Sequence, residues 1–136
     1  MASINAAPTP ARPRPLSPHL SVYRLTLTML MSITHRITGG ALYFGVLLLA
    51  WYLIALSMDA TAFATAAAFL NSIIGRLVLL GFTWALLQHL VGGIRHAMWD
   101  VGYGMDKPER EWLAIASAVG GLLLTIVVWA IGLSIF

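Results

Sequence analysis

The segment HLVGGIRH, residues 89–96, sets His89, Gly93 and His96 at i, i+4 and i+7. That spacing puts all three on one face of a helix. The segment SITHRITGG, residues 32–40, does the same for Ser32, His35, Arg36 and Gly39 at i, i+3, i+4 and i+7. Neutral imidazole is a common axial ligand of haem iron, and His89 is the candidate for that role. Gly92 and Gly93 remove side chains beside it, which would admit a flat macrocycle. His96, further out, is placed to meet a propionate near the surface. His35 and Arg36 would complement propionates or donate to a quinone carbonyl. The competing reading is structural: imidazoles can hydrogen-bond helix to helix, and small residues simply let helices approach.

The elements that must position these residues follow from composition. The chain has 136 residues, 60% hydrophobic and 10% charged, with a mean hydropathy of +0.86. A soluble domain carries about 25% charged residues. The sequence therefore reads as one small all-α integral membrane domain, too short to carry a separate catalytic module. It contains no cysteine, which excludes disulfides, iron–sulfur ligation and thiol catalysis by this chain. The net charge of +3 sits at segment ends, so it reads as topology and not as affinity for nucleic acid.

Three stretches lack charge: Ile37–Met58 (22 residues), Leu77–Ile94 (18) and Trp112–Phe136 (25). A helix needs about 20 residues to cross about 30 Å of hydrocarbon. The spacing predicts three transmembrane helices over about 25–58, 72–97 and 109–136. Within them only His89 lies clearly inside an apolar run, about 9 Å deeper than Arg95 along the helix axis. Polar groups at that depth are expensive and by default functional.

Basic residues flank the spans unevenly. Arg12, Arg14 and Arg24 precede the first, and Arg95, Lys107 and Arg110 lie between the second and third. The positive-inside rule then places the N-terminus and second loop in the cytoplasm and the C-terminus outside. Residues 1–24 form an arm; its stretch APTPARPRPLSP holds five of the six prolines and is extended, not helical. Residues 25–136 form the membrane domain. The first loop, ATAFATAAAFLNSI, spaces Phe63, Ala67, Leu70 and Ile74 as a helix does. It is expected to be a short surface helix or an extension of the second span. Pro108 fits the first turn of the third helix.

Three blocks in order, RPRPLSPHLSVY (12–23), SITHRITGG (32–40) and HLVGGIRHAMWD (89–100), resemble the cytochrome b subunit of succinate dehydrogenase, the larger of its two usual membrane anchors. With three spans between and after them, the resemblance covers essentially the whole chain, and every motif position is matched. It implies a three-helix anchor in a heteromeric bundle around haem b, with His89 as axial ligand and the other axial histidine on a second small anchor subunit. It implies His35, Arg36 and His96 at the propionates, and Ser32 and Arg36 at the ubiquinone site near the iron–sulfur subunit. The arm residues Ser17, Pro18, His19 and Tyr23 would lie against the soluble iron–sulfur and flavoprotein subunits. Succinate itself would be oxidised on the flavoprotein, not here. A start without a long presequence suggests a bacterial inner membrane. Two rival readings are a cofactor-free structural anchor and an independent small b-type cytochrome. A di-haem form of the second is disfavoured, because two bis-histidine haems need four well-placed ligands and only His89 is deep.

Overall fold

The computed structural model describes Val22 and residues 24–135. The expectations for Ser17, Pro18, His19 and Tyr23 lie outside the described residues. Four helices follow in order: α1 (Leu27–Met58), α2 (Ala60–Asn71), α3 (Ile73–Asp100) and α4 (Lys107–Ile135). Helices α1, α3 and α4 are long and apolar enough to cross a membrane, at 32, 28 and 29 residues.

The first loop is a helix of its own. Single residues break the chain on either side of α2, and both are good N-caps. The Asp59 carboxylate accepts from the Ala62 N–H at 2.8 Å, and the Ser72 hydroxyl accepts from the Gly75 N–H at 3.1 Å. The second turn is tight: a Cβ on Gly75 would collide with the Phe69 carbonyl and the Leu70 backbone. Ile74, spaced as though it continued α2, falls past this break onto α3. Helix α3 runs three residues beyond its expected end at 97, and α4 begins at Lys107, two residues before 109. Pro108 is the second residue of α4. The turn between them uses two glycines at positive φ, Gly102 (79°) and Gly104 (77°), a region that glycine enters without a Cβ penalty. The Trp99 indole N–H fastens this turn by donating to the Gly104 carbonyl at 3.1 Å.

The packing inverts the soluble pattern. Among the described residues the buried hydrophobics are Met31 and four alanines, whereas Phe44, Leu47 and Leu133 are among the many exposed large ones. Ala85, Gln88, Gly92 and Arg95 are buried on α3, and Ala114, Ser117, Gly121 and Thr125 on α4; Arg95 meets Ser117 across the α3–α4 seam. Small residues at three- and four-residue spacing let helix backbones approach closely where lipid offers no hydrophobic drive. A Cβ on Gly121 would strike the Gln88 side chain. The outward apolar surface suits lipid tails.

Candidate functional site

The histidines predicted on two helices meet. Helix α1 brings His35 and α3 brings His89, and their rings stack with centroids 3.9 Å apart and planes 2° apart. His96 joins them, its ring centroid 4.9 Å from that of His35, and packs edge-on against Trp99 at 5.2 Å. Two glycines make the approach possible. A Cβ on Gly39 would lie 2.9 Å from His89 Cε1, and one on Gly92 would lie 2.5 Å from His35 Nδ1. Gly92 thus makes room for the His35 ring. Gly93, by contrast, has nothing within 4 Å of its Cβ position, so it alone keeps the open space expected beside His89.

Hydrogen bonding fixes the state of His89. Its Nδ1 lies 3.0 Å from the His35 carbonyl oxygen and 3.3 Å from Thr38 Oγ1. A carbonyl oxygen only accepts, so the proton sits on Nδ1. The Thr38 hydroxyl, 1% exposed, is itself tied back to the Thr34 carbonyl at 2.9 Å. In the neutral imidazole Nε2 is then the nitrogen that carries the lone pair. Histidines that ligate metals are held this way: the second nitrogen donates to a backbone carbonyl, which sets tautomer and ring orientation. The His89 environment therefore fits an axial haem ligand. Stacked rings present their nitrogens side by side, not toward a shared point. Accordingly, among the described residues no three ligating side chains converge as a site for a bare metal ion.

Ser32 and Arg36 form a separate pair on the edge of α1. Arg36 Nη2 donates to Ser32 Oγ at 3.3 Å, with Arg36 exposed and Ser32 half-buried. The face read from sequence thus divides in two: His35, Thr38 and Gly39 turn toward α3, while Ser32 and Arg36 stay at the surface.

Sequence reasoning treated Arg95 as a mark of topology, but it is 2% exposed, the largest fully buried side chain among the described residues. Its guanidinium carbon sits 5.0 Å from the Trp99 ring centroid, a cation–π distance. Nη1 reaches Ser117 Oγ only at 3.5 Å. Nε and Nη2 are buried without partners, as is His35 Nδ1. A buried cation without a counter-ion is costly unless an anionic group completes it. The available signal was the stripe Gln88, Gly92, Arg95, one residue out of step with His89, Gly93, His96.

These features define the class: a small all-α multi-pass membrane protein in which His35, His89, His96 and the unpaired donors gather at one end of the bundle. Its relatives make it specific. The chain is 42% identical over 113 residues to the succinate dehydrogenase cytochrome b556 subunit of Paracoccus denitrificans, spanning 83% of this chain and 87% of that one. It is 40% identical over 116 residues to the same subunit of Rickettsia felis, covering 85% and 90%. It is also 37% identical over 127 residues to the succinate dehydrogenase cytochrome b560 subunit of Reclinomonas americana, covering 87% and 85%. The succinate dehydrogenase/fumarate reductase transmembrane subunit family matches residues 10–129. The chain belongs to that family, as the three sequence blocks implied.

Proposed function

We propose that this chain is the haem-binding membrane anchor of a succinate:ubiquinone oxidoreductase. The observation that carries the reading is the His89 tautomer, with Nδ1 committed to the His35 carbonyl and Nε2 free for iron. Bound there, haem b supplies a one-electron redox centre. His89 offers the axial nitrogen, and the His35 carbonyl and Thr38 keep its ring from turning. His35, Arg36 and His96 face the propionates, whose negative charge matches the unpaired donors at this end of the bundle. Ser32 and Arg36 donate to the quinone carbonyl at the edge of the apolar core. The second axial histidine would come from a second small anchor subunit, as the resemblance implies, while His35 is occupied by stacking on His89.

The same reading places residues 1–24, including Ser17, Pro18, His19 and Tyr23, against the iron–sulfur and flavoprotein subunits. It treats residues 25–136 as the membrane domain, in a bacterial inner membrane with the N-terminus cytoplasmic and the C-terminus periplasmic. Succinate is oxidised on the flavoprotein, and this chain carries no succinate site. A reduced-minus-oxidised spectrum of the purified complex tests the proposal. One low-spin b-type haem per chain is expected, and His89→Ala should abolish or strongly perturb that spectrum. An unchanged spectrum in His89→Ala would place the ligand elsewhere. A complex without haem would leave a purely structural anchor.

A further inference from the structure

At the end of the bundle opposite the histidines, cavities open between α3 and α4. Asn71 and Arg76 stand at the mouth of a cavity of about 600 Å³, with Trp129 and Leu133 on its α4 side. Trp129 and Leu133 also line a second cavity of about 530 Å³, which continues between the helices along Leu80 and Trp84. The two meet at Trp129 and Leu133, the first polar at its mouth and the second apolar along its length. Arg76, Leu80 and Trp84 follow one another at i, i+4 and i+8 on one face of α3. The apolar stretch from Arg76 to Trp84 runs about 12 Å along the axis.

Among the described residues Arg76 has no counter-ion at this end of the bundle. Asp59 is the only acid between Arg36 and Arg95, and its carboxylate caps α2. Arg76 is exposed, and its guanidinium makes no hydrogen bond or ion pair to another described residue; only its backbone N–H is engaged, donating to the Ser72 carbonyl at 2.9 Å. A cation and a carboxamide over an apolar trough, with a tryptophan at the junction, match a phospholipid lying along the helices. Guanidinium forms charge-assisted bonds to phosphate oxygens, and tryptophan favours the headgroup level.

We propose that this groove binds an anionic phospholipid, with its headgroup phosphate on Arg76 and Asn71 and one acyl chain along Leu80, Trp84 and Trp129. The inference uses none of the histidine site and stands apart from the haem reading. The test is native mass spectrometry of the intact detergent-purified complex, titrated with dioleoyl phosphatidylglycerol and with dioleoyl phosphatidylcholine. The expected result is one phosphatidylglycerol site at least tenfold tighter than any phosphatidylcholine site. Arg76→Gln should remove the preference and Arg76→Lys should keep most of it. Gly132→Leu tests the trough without touching the cation: Gly132 lines the mouth, and its Cβ position has nothing within 4 Å. It should weaken both lipids. Equal binding of the two lipids by the native complex, or undiminished phosphatidylglycerol binding in Arg76→Gln, would overturn the proposal. So would crosslinking of Gly132→Cys to a partner subunit, since a protein helix would then fill the groove.

Discussion

His35 and His89 lie 54 residues apart in the chain and stack with their ring planes 2° from parallel. The contact does two things at once. The His35 backbone sets the proton of His89, and the His35 ring covers one side of it. Gly39 and Gly92 permit both, because each yields to the ring on the other helix.

Gly39→Ala should therefore disturb the site. Its methyl would fall 2.9 Å from His89 Cε1, and the imidazole must turn away from the His35 carbonyl. We expect lower haem content or a shifted low-spin spectrum in the purified complex. Gly40→Ala is the control: its Cβ meets nothing within 4 Å, and its spectrum should match the parent. Identical behaviour of the two variants would remove the argument from ring placement.

Ser32→Ala and Arg36→Leu should depress succinate-dependent quinone reduction while sparing succinate oxidation with a soluble artificial acceptor. Losing one donor to a buried carbonyl costs roughly 1–3 kcal/mol, which sets the scale for Ser32→Ala. Arg36→Leu should be worse, because the fork that bonds Ser32 would also leave the propionates short of a cation. A proportional fall in both assays would assign the pair to assembly.

Arg95→Leu removes a buried positive charge from the helix that carries His89. Positive charge near a haem favours the less positive, reduced state, so its loss should lower the midpoint potential, on the order of tens of millivolts at effective protein dielectric. Arg95→Lys should hold the potential closer to the parent. Redox titration at the haem absorption band reads both. A potential unmoved in Arg95→Leu would mean that the guanidinium is already neutralised by a neighbouring group.

Expressed without its partner subunit, the chain should bind haem poorly or lose the bis-histidine spectrum. Three helices enclose the site only in part, and the ring stacked on His89 is poorly placed as a second ligand. A lone chain that purifies with stoichiometric low-spin haem would overturn the shared site and make His35 the candidate second ligand.

The spans were legible because charge is scarce, and its few positions cut the apolar sequence at helix ends. Asp59 and Ser72 mark where α1 and α3 meet α2, and both residue types are N-cap formers, so the separate helix was within reach of sequence reasoning. Helix faces were less legible. His89, Gly93, His96 and Gln88, Gly92, Arg95 are neighbouring stripes of similar polarity, and periodicity does not say which one α4 covers. Ser117 and Gly121 decide it, since a small hydroxymethyl and a bare Cα leave room for Arg95 and Gln88, while Gly92 of the same stripe yields to His35 on α1. The division of His35 from Arg36 was hidden for the same reason: adjacent residues diverge by about 100° around a helix, and only the position of α3 separates them.

The helices are unequally covered. In its most apolar stretch α1 has 6% of residues buried, against 17% for α3 and 22% for α4. The α3–α4 hairpin, closed by a short fastened turn, has most of its contacts close at hand in sequence. Helix α1 must find its place across α2. During synthesis α1 leaves the ribosome first, yet its contact with α3 can close only after α2 and α3 have emerged. Until then His89 has neither the His35 carbonyl nor the His35 ring over it. That interval in biogenesis is the natural moment for a flat ligand to enter, and a lesion in the α1–α3 contact would show as slow maturation before it showed as a loose fold.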